Sequence, residues 1–212
     1  MTSRDYKSET MREFNRSAEN YDSHSPVYYS LTRLCDDAVI SQITSFNRPN
    51  AQLLDVGCGT GALLEKIRNR FPNMILNGID IATNMLDIAR KRNLSHTTFT
   101  EGDAEQLPYE DNAFDLVLCC SSFHHYPNPD QAISEFRRVT RPGGKVIICD
   151  MELPDIARLF ANHILFPYQH KGDVHVYTQQ EIKMLLRKHG WTQCHTERIS
   201  PFQWLAEATA RK

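Results

Sequence analysis

The stretch Leu53-Leu54-Asp55-Val56-Gly57-Cys58-Gly59-Thr60-Gly61 constrains this chain more than any other. A short apolar run ends in a carboxylate and breaks into alternating glycines. A helical pattern follows at once, with Leu63, Leu64 and Ile67 at helical spacing and Glu65, Lys66 and Arg68 between them. This reads as strand, tight turn, helix. Glycines in the turn permit positive φ and let another molecule approach bare backbone. The helix behind them presents unpaired N–H groups and the positive end of its dipole. Such a turn holds a polar ligand at the carboxyl end of a strand, where open α/β sheets bind ligands.

The run also fits the looser dinucleotide fingerprint G-x-G-x-x-A through Gly57, Gly59 and Ala62, a weak signal by itself. Asp55 discriminates. A pyrophosphate on this helix N-terminus would face a nearby carboxylate of like charge, whereas a ligand carrying an ammonium would be attracted to it. S-adenosylmethionine carries an ammonium and a sulfonium and no phosphate. Downstream, Met74 to Asp80 reads as a second strand ending in a carboxylate, 19 residues past Gly61. A carboxylate there accepts from both hydroxyls of a ribose, a geometry that NAD and S-adenosylmethionine share. A helix over about 82–93 follows, with Ile81, Met85 and Ile88 on one face; Met85 reads as an adenine contact or as plain core. A short strand over 97–101 runs into Gly102-Asp103-Ala104, so Asp55, Asp80 and Asp103 end three successive strands.

The run Phe114 to Cys120 is apolar almost throughout, as in a strand buried on both faces. It opens into Ser121-Ser122-Phe123-His124-His125-Tyr126-Pro127. Asn128-Pro129 then starts a helix that stops at Arg141-Pro142-Gly143-Gly144, before a fifth strand over 145–151. The series Asp55–Gly61, Asp103, Phe-Asp-Leu-Val, His-His and Arg-Pro-Gly-Gly-Lys closely resembles class I (Rossmann-like) S-adenosylmethionine-dependent methyltransferases, of the kind acting on small molecules. The resemblance covers roughly residues 50–152. It implies a doubly wound α/β fold: a seven-stranded, mostly parallel sheet in order 3-2-1-4-5-7-6, with helices on both faces. Trp191 to Ile199 and Phe202 to Ala210 supply its last two, antiparallel strands, after a helix opened by the capping box Thr178-Gln179-Gln180-Glu181.

By the same resemblance, Asp55, Gly57, Gly59 and Gly61 hold the methionine part of the donor and Asp80 the ribose. Asp103 accepts the adenine amine and the Ala104 N–H donates to the ring. Cys58, Ile81, Met85 and Cys120 lie beside the donor. Residues 1–50 form a helical lid, with Tyr21 near the donor, and residues 51–212 the donor-binding domain. The lid reads as a helix over 8–20 with Met11, Phe14 and Ala18 on one face. After a break at Tyr21–Pro26, a second helix over about 27–46 buries Leu31, Leu34, Ala38, Ile43 and Phe46, and Asn47–Asn50 ends it.

His124 and His125 are the candidate catalytic residues, as contacts or bases toward the acceptor. Alternatively, one of them orients the loop and the other is exposed. No spacing among them and His163, His170 and His175 matches a metal-ligand pattern, so no metal is expected. The cofactor reading is S-adenosyl-L-methionine with a small-molecule methyl acceptor. An NAD-dependent oxidoreductase and a non-catalytic S-adenosylmethionine-binding module are the alternatives.

The formal net charge of −2 gives no basic field for nucleic acid, and Arg90-Lys91-Arg92 reads as a solvated helix end. No apolar run approaches a membrane span, and Met1–Asp5 lacks the apolar core of a signal peptide. Six cysteines without a C-x-x-C pair read as reduced thiols of a cytoplasmic protein, either monomer or homodimer. Residues 153–177 show no clear period.

Overall fold

A computed structural model describes residues 5–23, 26–46, 48 and 50–211, the side chains of residues 26–33 excepted. The chain opens with α1 (Tyr6–Ser17), a 3-10 segment (Ala18–Ser23) and α2 (Pro26–Phe46). Then come β1 (Gln52–Val56), α3 (Ala62–Arg70), β2 (Ile75–Asp80), α4 (Thr83–Lys91), β3 (Thr97–Glu101), β4 (Phe114–Cys120), a 3-10 turn (Phe123–His125), α5 (Pro129–Val139) and β5 (Thr140–Met151). A helical excursion follows, α6 (Asp155–Phe160), a π-helical turn (Ala161–Leu165) and α7 (Phe166–Gln169). The chain ends with α8 (Gln179–Lys188), β6 (Trp191–Ser200) and β7 (Gln203–Ala210).

The seven strands form one sheet in the order β3-β2-β1-β4-β5-β7-β6. β1 to β5 pair in parallel, while β7 runs antiparallel between β5 and β6. Alternation along the central strands splits the core in two. Leu54, Val117, Val146 and Ile148 face Ile133 and Phe136 of α5 and Ile182 and Leu186 of α8. Leu53, Leu116, Leu118 and Ile147 face Val39 and Ile43 of α2, Leu64 and Ile67 of α3 and Leu86 of α4. Covering both faces is what a parallel sheet requires. The order reverses between β1 and β4, and the crevice at their carboxyl ends is the switch point where such sheets bind ligands.

Local sequence chemistry accounts for several element ends. Asn128 caps α5 by accepting from Gln131 N, with Pro129 at the first helical position. At α8, Thr178 and Glu181 close a full capping box. Other expectations are corrected. The buried stripe of α2 is Cys35, Val39 and Ile43, with Ala38 and Phe46 partly buried, while Leu34 is exposed; the stripe is rotated by one position from the expected one. Leu31, the residues 24–25 of the expected break, and Asn47 and Pro49 lie outside the described residues or side chains. On α1, Thr10 rather than Met11 is buried, because this helix packs on α4 and on the segment at Gly172 instead of the sheet. Residues 155–169 are helical although no period announced it: Ile156, Phe160, Ile164 and Tyr168 stay exposed, so burial imposes no amphipathic pattern.

The reading of all cysteines as reduced is also corrected. Cys35 of α2 and Cys149 of β5, 114 residues apart, form a disulfide with Cα atoms 6.0 Å apart. Tertiary packing brings the two together, and nothing in their spacing signals it. The cysteine argument for a cytoplasmic location is thereby withdrawn. Cys58 and Cys119 are buried free thiols. Among the described residues, no helix is long and apolar enough to cross a membrane.

Candidate active site

At the switch point, β1, the glycine turn, the ends of β2 to β4 and α1 enclose a cavity of about 390 Å³. That lies in the range of sites for small organic ligands. The turn is held from below: Gly57 N and Cys58 N both donate to Ile79 O, at 2.8 and 3.1 Å. Gly57, Gly59 and Gly61 all have positive φ. Their roles differ. A Cβ on Gly57 would lie 2.0 Å from Ser122 Oγ, so this glycine makes room for the loop after β4. A Cβ on Gly61 would press on Ala89 and Phe99, so it seats the turn against its neighbours, off the cavity wall. At Gly59 a Cβ would meet nothing, and this is the bare backbone that faces the cavity.

Asp55, Asp80 and Asp103, which end three successive strands, are among the carboxylates that line the space. Asp55 is buried, 2% exposed, and among the described residues no hydrogen bond reaches its carboxylate. Burial, then the charges of Asp36 and Asp80, push it up to about 8. Asp80 Oδ2 accepts from Gly59 N and its Oδ1 from Ala82 N, both at 2.8 Å. Burial raises its pKa, and those backbone donors oppose the rise. Each of its oxygens keeps a lone pair for a ligand hydroxyl. Asp103 Oδ1 accepts from Glu105 N, while its Oδ2 takes Lys7 Nζ of α1 at 2.6 Å. Lys7 also pairs with Glu105.

Tyr21, Cys58, Ile81, Met85, Ala104 and Cys120 stand on the same wall. Met85 also packs with Ala18 and Ala82, so it serves as core and lining together. The sequence reading missed Lys7, Phe14, Thr60 and Arg92. Arg92 is no solvated helix end. Its Nε donates to Thr60 O, and its other nitrogens reach Glu65 and Asp22, tying the glycine turn to the N-terminal segment. Charge counting gives no hint of this, because the partners come from three separate segments.

Of the two histidines, His125 lines the cavity and His124 lies behind it, their rings 4.0 Å apart. His124 Nδ1 donates to Asp150 Oδ1 at 2.7 Å, and His124 N donates to Asp150 Oδ2. Burial alone would lower His124; the Asp150 carboxylate outweighs it, with help from Asp173, and His124 stands above the ordinary imidazole range. No carboxylate hydrogen-bonds His125, and Asp173 Oδ1 stands 3.6 Å from its Nδ1. Burial and its neighbour His124 push it down to about 3, so it is neutral at physiological pH. Its Nδ1 donates to Gly172 O at 3.1 Å, since a carbonyl only accepts. Phe14 of α1 meets the ring edge-on at 5.0 Å.

This fold, with a glycine turn and acidic strand ends at its switch point, defines the class of Rossmann-like, doubly wound α/β proteins. Comparison with known proteins narrows it. Residues 54–148 match the family model described as a methyltransferase domain. The chain is 35% identical over 124 residues to a demethylmenaquinone methyltransferase of Deinococcus radiodurans, covering 54% of this chain and 51% of that protein. It is 29% identical over 148 residues to a malonyl-[acyl-carrier protein] O-methyltransferase of a Paenibacillus species, covering 66% and 54%. The chain thus spans about half the length of these curated relatives. Its fold also matches a phosphoethanolamine N-methyltransferase of Haemonchus contortus solved with S-adenosyl-L-methionine, with a TM-score of 0.65 at 18% identity over 77% of this chain and 49% of that one. Residues 54–148 thus match a methyltransferase domain, on a fold shared with a methyltransferase solved with S-adenosyl-L-methionine.

The residues present fit that donor. Open backbone at Gly59 and an unpartnered buried carboxylate at Asp55 suit an amino-acid moiety carrying an ammonium. The carboxylate of Asp80 suits a ribose.

Proposed function

We propose that the protein transfers a methyl group from S-adenosylmethionine to a small-molecule acceptor bound between α1 and the loop after β4. Asp55, raised by burial yet aimed into the cavity, is the observation that carries this reading: a buried carboxylate without a partner fits a cationic ligand and not a pyrophosphate. Asp55 and the Gly57–Gly59 backbone hold the methionine part, Asp80 the ribose, and Asp103 with Ala104 the adenine. Tyr21 and Met85 flank them.

S-adenosylmethionine supplies a methyl already activated on a sulfonium. The chain's own task is therefore to orient the acceptor in line and to exclude water. His125, neutral, accepts a hydrogen bond from the acceptor. His124, braced by Asp150, fixes the direction of the His125 loop. Residues 5–23 serve as the lid: Phe14 covers His125, and Lys7 and Asp22 pin this segment to both sides of the donor cleft.

Calorimetric titration with S-adenosylhomocysteine, with NADH run beside it, tests the donor. Binding of the first alone is expected; binding of NADH alone would transfer the site to dinucleotide chemistry. A methyl-release assay over a panel of hydroxyl, amine and activated-carbon acceptors then separates an enzyme from a module that only holds the donor.

A further inference from the structure

Behind the cavity wall made by His125, side chains from two distant segments converge. One ring nitrogen each of His124 and His125 and a carboxylate oxygen of Asp173 lie within 4.8 Å of one another. Asp173 Oδ1 stands 3.6 Å from His124 Nε2 and 3.6 Å from His125 Nδ1. These separations are too long for hydrogen bonds. They lie close to the roughly 3.0–3.4 Å that separates two donor atoms sharing one ion at about 2.1 Å.

His124 is already set as a ligand. Its Nδ1 is fixed on Asp150, whose carboxylate also accepts from His124 N and Met151 N, and this leaves Nε2 pointing toward Asp173. A carboxylate behind an imidazole is the arrangement that orients metal-binding histidines and raises their basicity. The third group is held in place as well. Val174 N and His175 N both donate to His124 O, at 2.9 and 3.2 Å. Gly172, with φ +85°, packs so tightly on Thr10 that a Cβ would lie 2.1 Å from its hydroxyl. Two carboxylates, Asp150 and Asp173, thus face two imidazoles in a largely buried cluster, a charge balance that a dication completes.

We propose that His124, His125 and Asp173 form a binding site for a first-row divalent transition cation, with Asp150 as the support of His124; the cation takes the place of the Nδ1 proton that His125 otherwise gives to Gly172 O, and that proton is released to solvent. Two imidazoles and one carboxylate favour cations such as zinc, iron(II) or cobalt(II) over magnesium and calcium, which prefer all-oxygen sites. Three protein ligands leave coordination positions open. Because His125 forms the cavity wall, those positions face the acceptor end. The acceptor chemistry that fits is an oxygen donor, such as a hydroxyl, enol or carboxylate. Among the described residues, the other grouping of ligating side chains is Cys35, Cys120 and Cys149, two of which are disulfide-bonded.

The test is titration of the chelator-treated, full-length, oxidised protein with cobalt(II) chloride, followed by visible absorption, and with zinc chloride by calorimetry. One equivalent is expected to bind with nitrogen- and oxygen-type cobalt bands and no sulfur-to-cobalt charge-transfer band. Asp173→Asn and His125→Gln are expected to weaken binding at least about tenfold, and Asp150→Asn roughly 10–100-fold. Cys120→Ser is expected to leave the spectrum unchanged. Circular dichroism melting without metal establishes that each variant is folded. No stoichiometric binding by the parent, unchanged affinity in folded Asp173→Asn, or a thiolate band abolished by Cys120→Ser would each overturn the site. Neither donor nor acceptor is present in these titrations, so their outcome is independent of the methyl-transfer reading.

Discussion

The two ends of the cavity are built from different material. At the donor end, neighbouring loops hold one another through backbone: Asp80 bridges Gly59 N and Ala82 N, and Ile79 O takes both Gly57 N and Cys58 N. At the acceptor end, side chains from distant parts of the chain meet: Thr10 with Gly172, Glu9 with His170, Phe14 with His125. The first arrangement rests on backbone donors at the strand ends, with Arg92 and Lys7 as its long-range ties. The second is assembled by tertiary packing between two segments outside the sheet, so its chemistry can be altered without disturbing the strands. Damage at the donor end is therefore expected to appear as lost donor affinity, and damage at the acceptor end as lost turnover with donor affinity retained.

The sharpest way to break this comparison is Asp80→Ala. Losing a carboxylate that anchors Gly59 and that we assign to both ribose hydroxyls is expected to lower S-adenosylhomocysteine affinity about a hundredfold, the roughly 3 kcal/mol of two hydrogen bonds to a charged group. Calorimetry checks it, with unfolding by circular dichroism showing the sheet intact. Normal donor binding in that variant would move the ribose elsewhere. The counterpart at the acceptor end is His125→Ala. Its methyl-transfer rate is expected to fall by about tenfold or more, toward the low end of what positioned hydrogen-bonding groups contribute, at unchanged donor affinity. A parallel loss of donor binding would erase the distinction between the two ends.

A smaller effect comes from pH. Free Asp55, pushed up to about 8, holds its proton at neutral pH. An ammonium beside it favours the carboxylate, so donor binding releases a proton. Affinity should then rise with pH, by at most about tenfold per unit, until pH reaches about 8. The same group works in the opposite sense on the unliganded fold. Between its unfolded value near 3.8 and about 8 the native state binds the extra proton, so its contribution to stability declines as pH rises through that window. Calorimetry in buffers of different ionisation enthalpy measures the released proton. In Asp55→Asn both the release and the rise in affinity should vanish.

What could be read from sequence follows the same division. The strand ends that line the proposed donor end were legible because each carries its own local pattern, a strand-forming run ending in a carboxylate. Asp55 and the glycines share one turn, Asp80 ends the next strand, and β3, β4 and α5 lie where periodicity and capping chemistry put them. Even there, sequence could not separate Gly59, open to the cavity, from Gly57 and Gly61, which pack against protein. The acceptor end was not legible. Asp173 lies 48 residues beyond His125, in a segment without period, and only the folded chain sets it against the two histidines. Cys35 and Cys149 became partners for the same reason, and so did Arg92 and Asp22. Long-range pairs of this kind leave no local signature in one sequence.

Lys7 is where the two ends touch, and it gives the finest test. It rises from α1, which belongs to the acceptor side, yet its ammonium sits on Asp103, the residue assigned to the adenine amine, and on Glu105. An amine of the ligand and the lysine then compete for the same carboxylate. Both lysine and Asp103 side chains are about one-third exposed (34% and 33%), so solvent screens the pair and its worth is about 0–1 kcal/mol. Lys7→Met should therefore raise S-adenosylhomocysteine affinity, by no more than about fivefold, by freeing Asp103. Because the same lysine pins α1 across the cleft, donor dissociation should quicken as well, and stopped-flow fluorescence would resolve the two rates. If affinity falls instead, Lys7 contributes to holding the ligand, and the adenine site extends onto α1.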